Sequence, residues 1–197
     1  KIAYLAFTNQ AADEALSRAI SQLNYNTKDF MNFRTLHSLA YRELHLKEDN
    51  IMNDNDYNFL SNKLQIKLSN PNQSVKTYGT SFPDDIFMQV IDGAKIRGLT
   101  TENFFNDPNT GHLPGGILKL KYIDEALIKY KRARNKYDMT DMIVDFNQKH
   151  YDLMPNFDVV IIDEAQDLSW LQWKMVERVI TKAKRVYIAG DDDQAIY

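Results

Sequence analysis

Four short apolar runs, each followed at once by a polar cluster, constrain the fold of this chain more than any other feature. Ile2–Phe7 (IAYLAF) leads into Thr8, Asn9 and Gln10, and Phe30–Arg34 leads into Thr35, His37 and Ser38. Val159–Ile162 leads into Asp163 and Glu164, and Val186–Ala189 leads into Asp191–Gln194. Short apolar runs of this kind suit strands buried on both faces of a sheet. Segments of helical spacing lie between them. Ala12, Ala15, Leu16, Ala19 and Leu23 follow the first run, with Thr8 or Asn9 as cap and Asp13 and Glu14 in the opening turn. A second helix is predicted from about Leu36 to His45. Strand–helix alternation favours a parallel sheet, so the predicted fold class is α/β. In a parallel sheet the four polar clusters share one carboxyl edge, which is where open α/β sheets bind ligands.

From about Leu46 the pattern changes. Asn53 or Asp54 can cap a helix that places Tyr57, Leu60, Leu64 and Leu68 on one face. Pro83 opens another, carrying Ile86, Val90, Ile91 and Ala94, with Gly98 suited to its C-terminal cap. Asn106–Gly116 reads as a loop, and a long helix follows over 117–136. With no strand pair legible, this stretch is predicted to be all-helical. Strand and helix signals then resume. A helix starts near Thr140 with Ile143 and Phe146 on one face. Ser169 with Gln172 forms a capping box ahead of a helix that turns Leu171, Met175, Val179 and Ala183 inward. The expected organisation is a core domain of residues 1–45 and 138–197 carrying an inserted helical subdomain of residues 46–137.

Composition removes several chemistries. The 197 residues include no Cys, which excludes disulfides, thiolate metal sites, iron–sulfur clusters and a Cys nucleophile. The four His (His37, His45, His112, His150) are too dispersed for a His-built metal site. A net charge of −3 excludes a uniformly basic nucleic-acid coat but leaves room for a local basic face. The longest aliphatic run, Val159–Ile162, is far too short to span a membrane, so no membrane partner is expected.

The sharpest signal is DVVIIDEAQD over 158–167. A strand that ends in Asp and then Glu presents one carboxylate that can hold Mg²⁺ and another that can orient or deprotonate a water. The alternative is a solvated acidic turn, a reading that weakens once the whole string is considered. In GDDDQAIY (190–197), Asp192 and Asp193 suit an exposed turn and cap, whereas the Gln194 amide can sense a phosphate or hold a water.

AFTNQAADEALSRA (6–19), TLHSLAYR (35–42), YDMTDMI (137–143), VVIIDEAQDLSWLQ (159–172) and IAGDDDQAIY (188–197) resemble, in order and spacing, successive motifs of superfamily 1 helicases of the UvrD/Rep type. FMQVIDGAKIRGLTTENFF (87–105) and the helix leading to YDMTDMI resemble the helical subdomain inserted into the first RecA-like core domain of those enzymes. The resemblance implies a RecA-like P-loop NTPase core. It implies that Asp163 holds Mg²⁺, that Glu164 activates water, and that Gln194 contacts the γ-phosphate of ATP or its water. Gln166 and Asp167 would join this strand end to neighbouring motifs on the nucleotide side. Phe7, Thr8, Asn9, Thr35, His37 and Tyr197 would line a single-strand DNA track. Phe7 equally suits a core position, His37 a structural one and Tyr197 a mobile end.

The implied protein is a cytoplasmic, bacterial or phage-encoded helicase that couples Mg-ATP hydrolysis to 3′-to-5′ movement on single strands and acts at single/double-strand junctions. A helicase–nuclease of the AddA/RecB kind shares these motifs, and a nucleotide-independent DNA-binding module is the competing non-enzymatic reading. The resemblance places a phosphate-binding GxxxxGK loop before Lys1, an Arg-containing continuation after Tyr197 and a second core domain beyond. The chain is thus expected to be a piece of a longer protein, monomeric and inactive in hydrolysis by itself. Thr140 stands where the family often has an acid, and Asp138 and Asp141 suit helix capping as well as catalysis.

On the 117–136 helix, Lys121, Lys129, Arg132 and Lys136 fall on one side at about 100° per residue, with Glu125 among them. A contact to duplex phosphates is one reading. A solvated face with Glu–Lys pairing is the commoner one.

Overall fold

The computed structural model describes residues 1–23, 30–70, 85–106, 113–149 and 154–191. Its backbone contacts divide the chain into two units, Lys1–His45 with Met142–Tyr197, and Leu46–Asp141.

The first unit is built on a four-stranded sheet in the order β2-β1-β3-β4, with β1 at Ile2–Ala6, β2 at Phe33–Thr35, β3 at Val159–Ile162 and β4 at Arg185–Ile188. Every pairing is parallel; Leu5 lies opposite Arg34 on one side and Ile162 on the other. Helices α1 (Asn9–Leu23) and α2 (Leu36–Glu43) follow β1 and β2. Helix α7 (Met139–Gln148) contains the boundary between the two units and precedes β3, and α8 (Trp170–Ile180) joins β3 to β4. Ala3, Leu5, Val160 and Ile162 are fully buried, as are Leu39, Ile143, Phe146, Met175 and Val179 on the helices. Tyr4, Val159 and Ile161, which alternate with these strand residues, are only half-buried, so the expected burial of the strands on both faces is incomplete even at the centre of the sheet. At the edge, β4 is exposed along its whole length, with Tyr187 at 55% and Ile188 at 52%.

The elements deviate from expectation in small, explicable ways. The second strand starts at Phe33, so Thr35 ends the strand instead of following it, and Phe30 is buried in the preceding turn. Helix α2 stops at Glu43 because His45 takes a left-handed backbone. Thr8 caps α1 by accepting from the Ala11 N–H at 3.2 Å. That cap sets the helix start at Asn9, so Asp13 and Glu14 fall beyond its first turn.

The second unit contains α3 (Asp54–Leu64), α4 (Asp85–Ile96), α5 (Thr101–Phe105) and α6 (Gly116–Arg134). Asn53 caps α3 as its spacing predicts, accepting from Asn55 and Asp56, while the proposed helix opening at Pro83 lies outside the described residues. The short α5, capped by Thr100, lies in a stretch where the sequence offered no separate helix signal. Tyr57, Leu60, Phe87, Ile91, Leu113, Leu120, Ile123 and Leu127 form the core of this unit. The described strand-like pairing within the unit is one isolated bridge, Ile51 with Tyr137.

The basic stripe on α6 is largely neutralised. Lys121 pairs with Glu102 at 2.7 Å and Lys129 with Glu125 at 3.3 Å. Asn135 ends the helix in a left-handed turn, which takes Lys136 out of helical phase and onto Asp56 at 3.0 Å. Beneath it lies a buried charge network. Lys95 reaches Asp138 at 3.1 Å and Asp141 at 2.8 Å, and Lys131 reaches the same two carboxylates at 2.7 and 2.5 Å. Asp138 and Asp141 also cap each other's backbone, with the Asp141 N–H donating to Asp138 at 2.7 Å and the Asp138 N–H to Asp141 at 3.2 Å. YDMTDMI is therefore a capping and charge-pairing motif in this fold.

Candidate functional site

The parallel register brings the described polar clusters to one edge of the sheet. Ala6 lies opposite Thr35, which places Phe7, Thr8 and Asn9 beside the start of α2. On the other side, the Asp163 N–H donates to the Leu5 carbonyl at 3.0 Å, continuing the β1–β3 ladder to the strand end. The Ala189 N–H donates to Ile162 at 2.8 Å, and the Ala165 N–H donates to Ala189 at 3.0 Å, which ties the end of β4 to the turn after β3.

Asp163 and Glu164 are adjacent in sequence but are held differently. Asp163 is half-buried, and the Tyr4 hydroxyl donates to its Oδ2. Tyr4 stacks on Phe33, with ring centroids 5.2 Å apart and planes at 16°. Burial and the hydrogen bond to Asp163 push the Tyr4 hydroxyl well above its ordinary pKa, so it remains a donor. Glu164 is exposed and sits at φ 52°, ψ 45°, a left-handed conformation uncommon for a non-glycine residue. This turn separates the two carboxylates, directing one into the sheet edge and the other to solvent. Gln166 donates to Glu164 Oε2 at 2.6 Å, and its Oε1 accepts the Asp191 N–H at 3.1 Å. Asp167 is half-buried, and its Oδ1 is enclosed with no hydrogen-bond partner among the described residues.

Thr8 and Asn9 are exposed and Phe7 is half-buried. Thr35 is buried, and its hydroxyl oxygen caps α2 by accepting from the Ser38 N–H at 3.2 Å. His37 is half-buried, and burial lowers its pKa, leaving a neutral imidazole at pH 7. Gln194 and Tyr197 lie outside the described residues, as do Asp192 and Asp193.

One participant at this edge escaped the motif reading. Tyr4 is the single hydroxyl-bearing residue within the Ile2–Ala6 strand, and its partner becomes evident only when β1 and β3 pair. A lone carboxylate assisted by substrate phosphates and waters is a usual way to hold Mg²⁺. Asp163 suits that arrangement, with one oxygen fixed by Tyr4; among the described residues no three His, Cys, Asp or Glu side chains gather into a metal cage.

Residues 1–197 match the family described as the UvrD/REP helicase N-terminal domain. This chain belongs to that family. It is 25% identical to a probable DNA helicase II homolog of Mycoplasma genitalium, over all of this chain and 29% of that protein. It is 26% identical to the ATP-dependent DNA helicase Rep of Buchnera aphidicola, again over all of this chain and 29% of that protein. It is also 26% identical to DNA helicase II of Haemophilus influenzae, with 98% of this chain covering 27% of that protein. The chain thus spans under a third of the length of these relatives. The family match agrees with a RecA-like reading of the parallel sheet. Among the described residues no helix is long and apolar enough to cross a membrane.

Proposed function

We propose that this chain supplies part of the first core domain of an ATP-driven DNA helicase, with Leu46–Asp141 as its inserted helical subdomain. The observation that carries the reading is the shared edge. One end of the sheet presents the unlike pair Asp163 and Glu164, and the neighbouring strand ends present Thr8, Asn9, Thr35 and His37.

In this reading Asp163 holds Mg²⁺ with the phosphates of ATP, and the ion supplies neutralisation of phosphate charge. The exposed Glu164 takes the proton of the attacking water, and Gln194 contacts the γ-phosphate or that water. Gln166 and Asp167 belong to the same nucleotide side. Phe7, Thr8, Asn9, Thr35, His37 and Tyr197 belong to a single-strand track in which aromatic stacking and short polar groups tolerate any base sequence. Thr35 brings its O–H, since its oxygen already caps α2, and a neutral His37 brings a ring N–H or its face.

The whole protein then uses Mg-ATP hydrolysis to move 3′ to 5′ on single-stranded DNA and opens duplex at junctions, in the cytoplasm of a bacterium. The test is phosphate release and strand separation by the full-length protein on duplexes with a 3′ or a 5′ single-stranded tail. The reading expects DNA-stimulated release and separation from the 3′-tailed duplex. ATP turnover indifferent to DNA would overturn it.

A further inference from the structure

Gln166 occupies a position that the proposed catalytic roles of Asp163 and Glu164 leave unexplained. Its amide faces two groups that fix its orientation. The Asp191 N–H can only donate, so Oε1 faces it at 3.1 Å. The Glu164 carboxylate accepts, so Nε2 faces Oε2 at 2.6 Å. Asp, Glu, Ser or a hydrocarbon could not serve both partners at this length; only an amide offers a fixed acceptor and a fixed donor. The fit is close: a Cβ added at Gly190 would lie 2.8 Å from Gln166 Oε1 and 3.3 Å from the Ala165 and Gln166 nitrogens. A side chain at 190 would press on the end of this amide and on the backbone of the turn after β3.

We propose, resting on the reading of Glu164 as the water-activating carboxylate, that Gln166 is a positioning residue that orients Glu164 from the end of β4. Glu164 projects from a left-handed turn into solvent, so its own strand constrains the carboxylate little. The amide anchors it to the Gly190–Asp191 backbone, which leads in sequence to Gln194. A displacement of that backbone therefore reaches Glu164 through one side chain. A positioned base is sensitive to such a displacement, since misplacement by about 1 Å can cost on the order of a hundredfold in rate.

The decisive variant is Gln166→Glu in the full-length protein. It preserves size and the acceptor for the Asp191 N–H, and it replaces the donor facing Glu164 with a second carboxylate. Expected is a loss of about tenfold or more in DNA-stimulated kcat at saturating ATP, over and above any rise in the KM for ATP that the added negative charge brings. Combined with Glu164→Gln, it should cost nothing further, because the group being oriented is already gone. Gly190→Ala, which presses on Oε1, should lower kcat in the same way. Wild-type kcat in Gln166→Glu overturns the proposal, as does a loss that multiplies with that of Glu164→Gln or that is carried by KM alone. If Glu164→Gln itself turns over normally, the underlying reading of Glu164 fails with it. If Glu164→Gln is inactive and Gln166→Glu is normal, the positioning role alone fails.

Discussion

Asp92, on α4, carries a carboxyl oxygen that is enclosed and has no hydrogen-bond partner among the described residues. It faces the network of Asp138, Lys95, Lys131 and Asp141. Burial, followed by the negative charge of Asp138, pushes its pKa up to about 7, with the two lysines opposing. Asp138 shows the reverse balance: burial alone would raise its pKa, but Lys95 and Lys131 outweigh that and hold it well below the ordinary carboxylate range. The two aspartates therefore act on stability in opposite senses. Asp92 binds its proton more tightly in the folded chain, so the associated stability is full below about pH 4 and is lost as pH rises through about 7. Asp138 contributes stability above the ordinary carboxylate range and loses it under acid. Thermal unfolding of wild type and Asp92→Asn across pH 5 to 8 tests this. The variant should gain stability relative to wild type as pH rises, and a pH-independent difference would contradict the assignment. None of this was legible in sequence. Lys95, Lys131 and Asp92 sit on helices that the pattern predicted, but their convergence depends on packing that periodicity does not encode. Asp138 and Asp141 were legible as caps because capping is local.

The same distinction between local and non-local signals holds for elements. Helix α8 begins where the Ser169 and Gln172 spacing places it, and both reciprocal bonds form, at 3.3 Å to the Ser169 hydroxyl and 2.9 Å to the Gln172 side chain. Ser169→Ala removes one of them and leaves a helix N–H without its cap. Chemical denaturation should show a loss of about 1 kcal/mol, in the range usual for such caps, with no change in m-value; an unchanged midpoint would mean that packing of Leu171, Met175 and Val179 alone fixes this helix. β1 and β3 were legible because their apolar runs need a buried sheet, and β4 because Val186, Tyr187 and Ile188 are strand-forming residues, although the edge leaves them exposed. β2 was displaced because it has only three residues and its aromatic neighbour Phe30 is buried without being a strand residue. On α6 the helical phase was legible, but the left-handed Asn135 that removes Lys136 from the stripe was not.

For the whole molecule, the strand order was not stated by any motif, yet the shared edge followed from parallel pairing alone. Parallel strands align their carboxyl ends, so residues as distant in sequence as Thr8, Thr35, Asp163 and Asp191 converge on one edge. Of the finer wiring there, a link from Gln166 to a neighbouring motif was implied by the resemblance, whereas its bond to Glu164 and that of Tyr4 to Asp163 depend on side-chain reach that the sequence does not display. The central claim is a division of labour at that edge, with Asp163 acting on binding and Glu164 on chemistry. The most direct measurement compares ATP affinity and DNA-stimulated turnover in the full-length protein for Glu164→Gln and Asp163→Asn. Glu164→Gln should lose about 10²–10⁴ in turnover while binding ATP as well as or better than wild type, and Asp163→Asn should weaken Mg-ATP binding together with turnover. Near-normal turnover by Glu164→Gln would contradict the account and leave the acidic pair as a solvated turn or a site in which Asp163 alone matters.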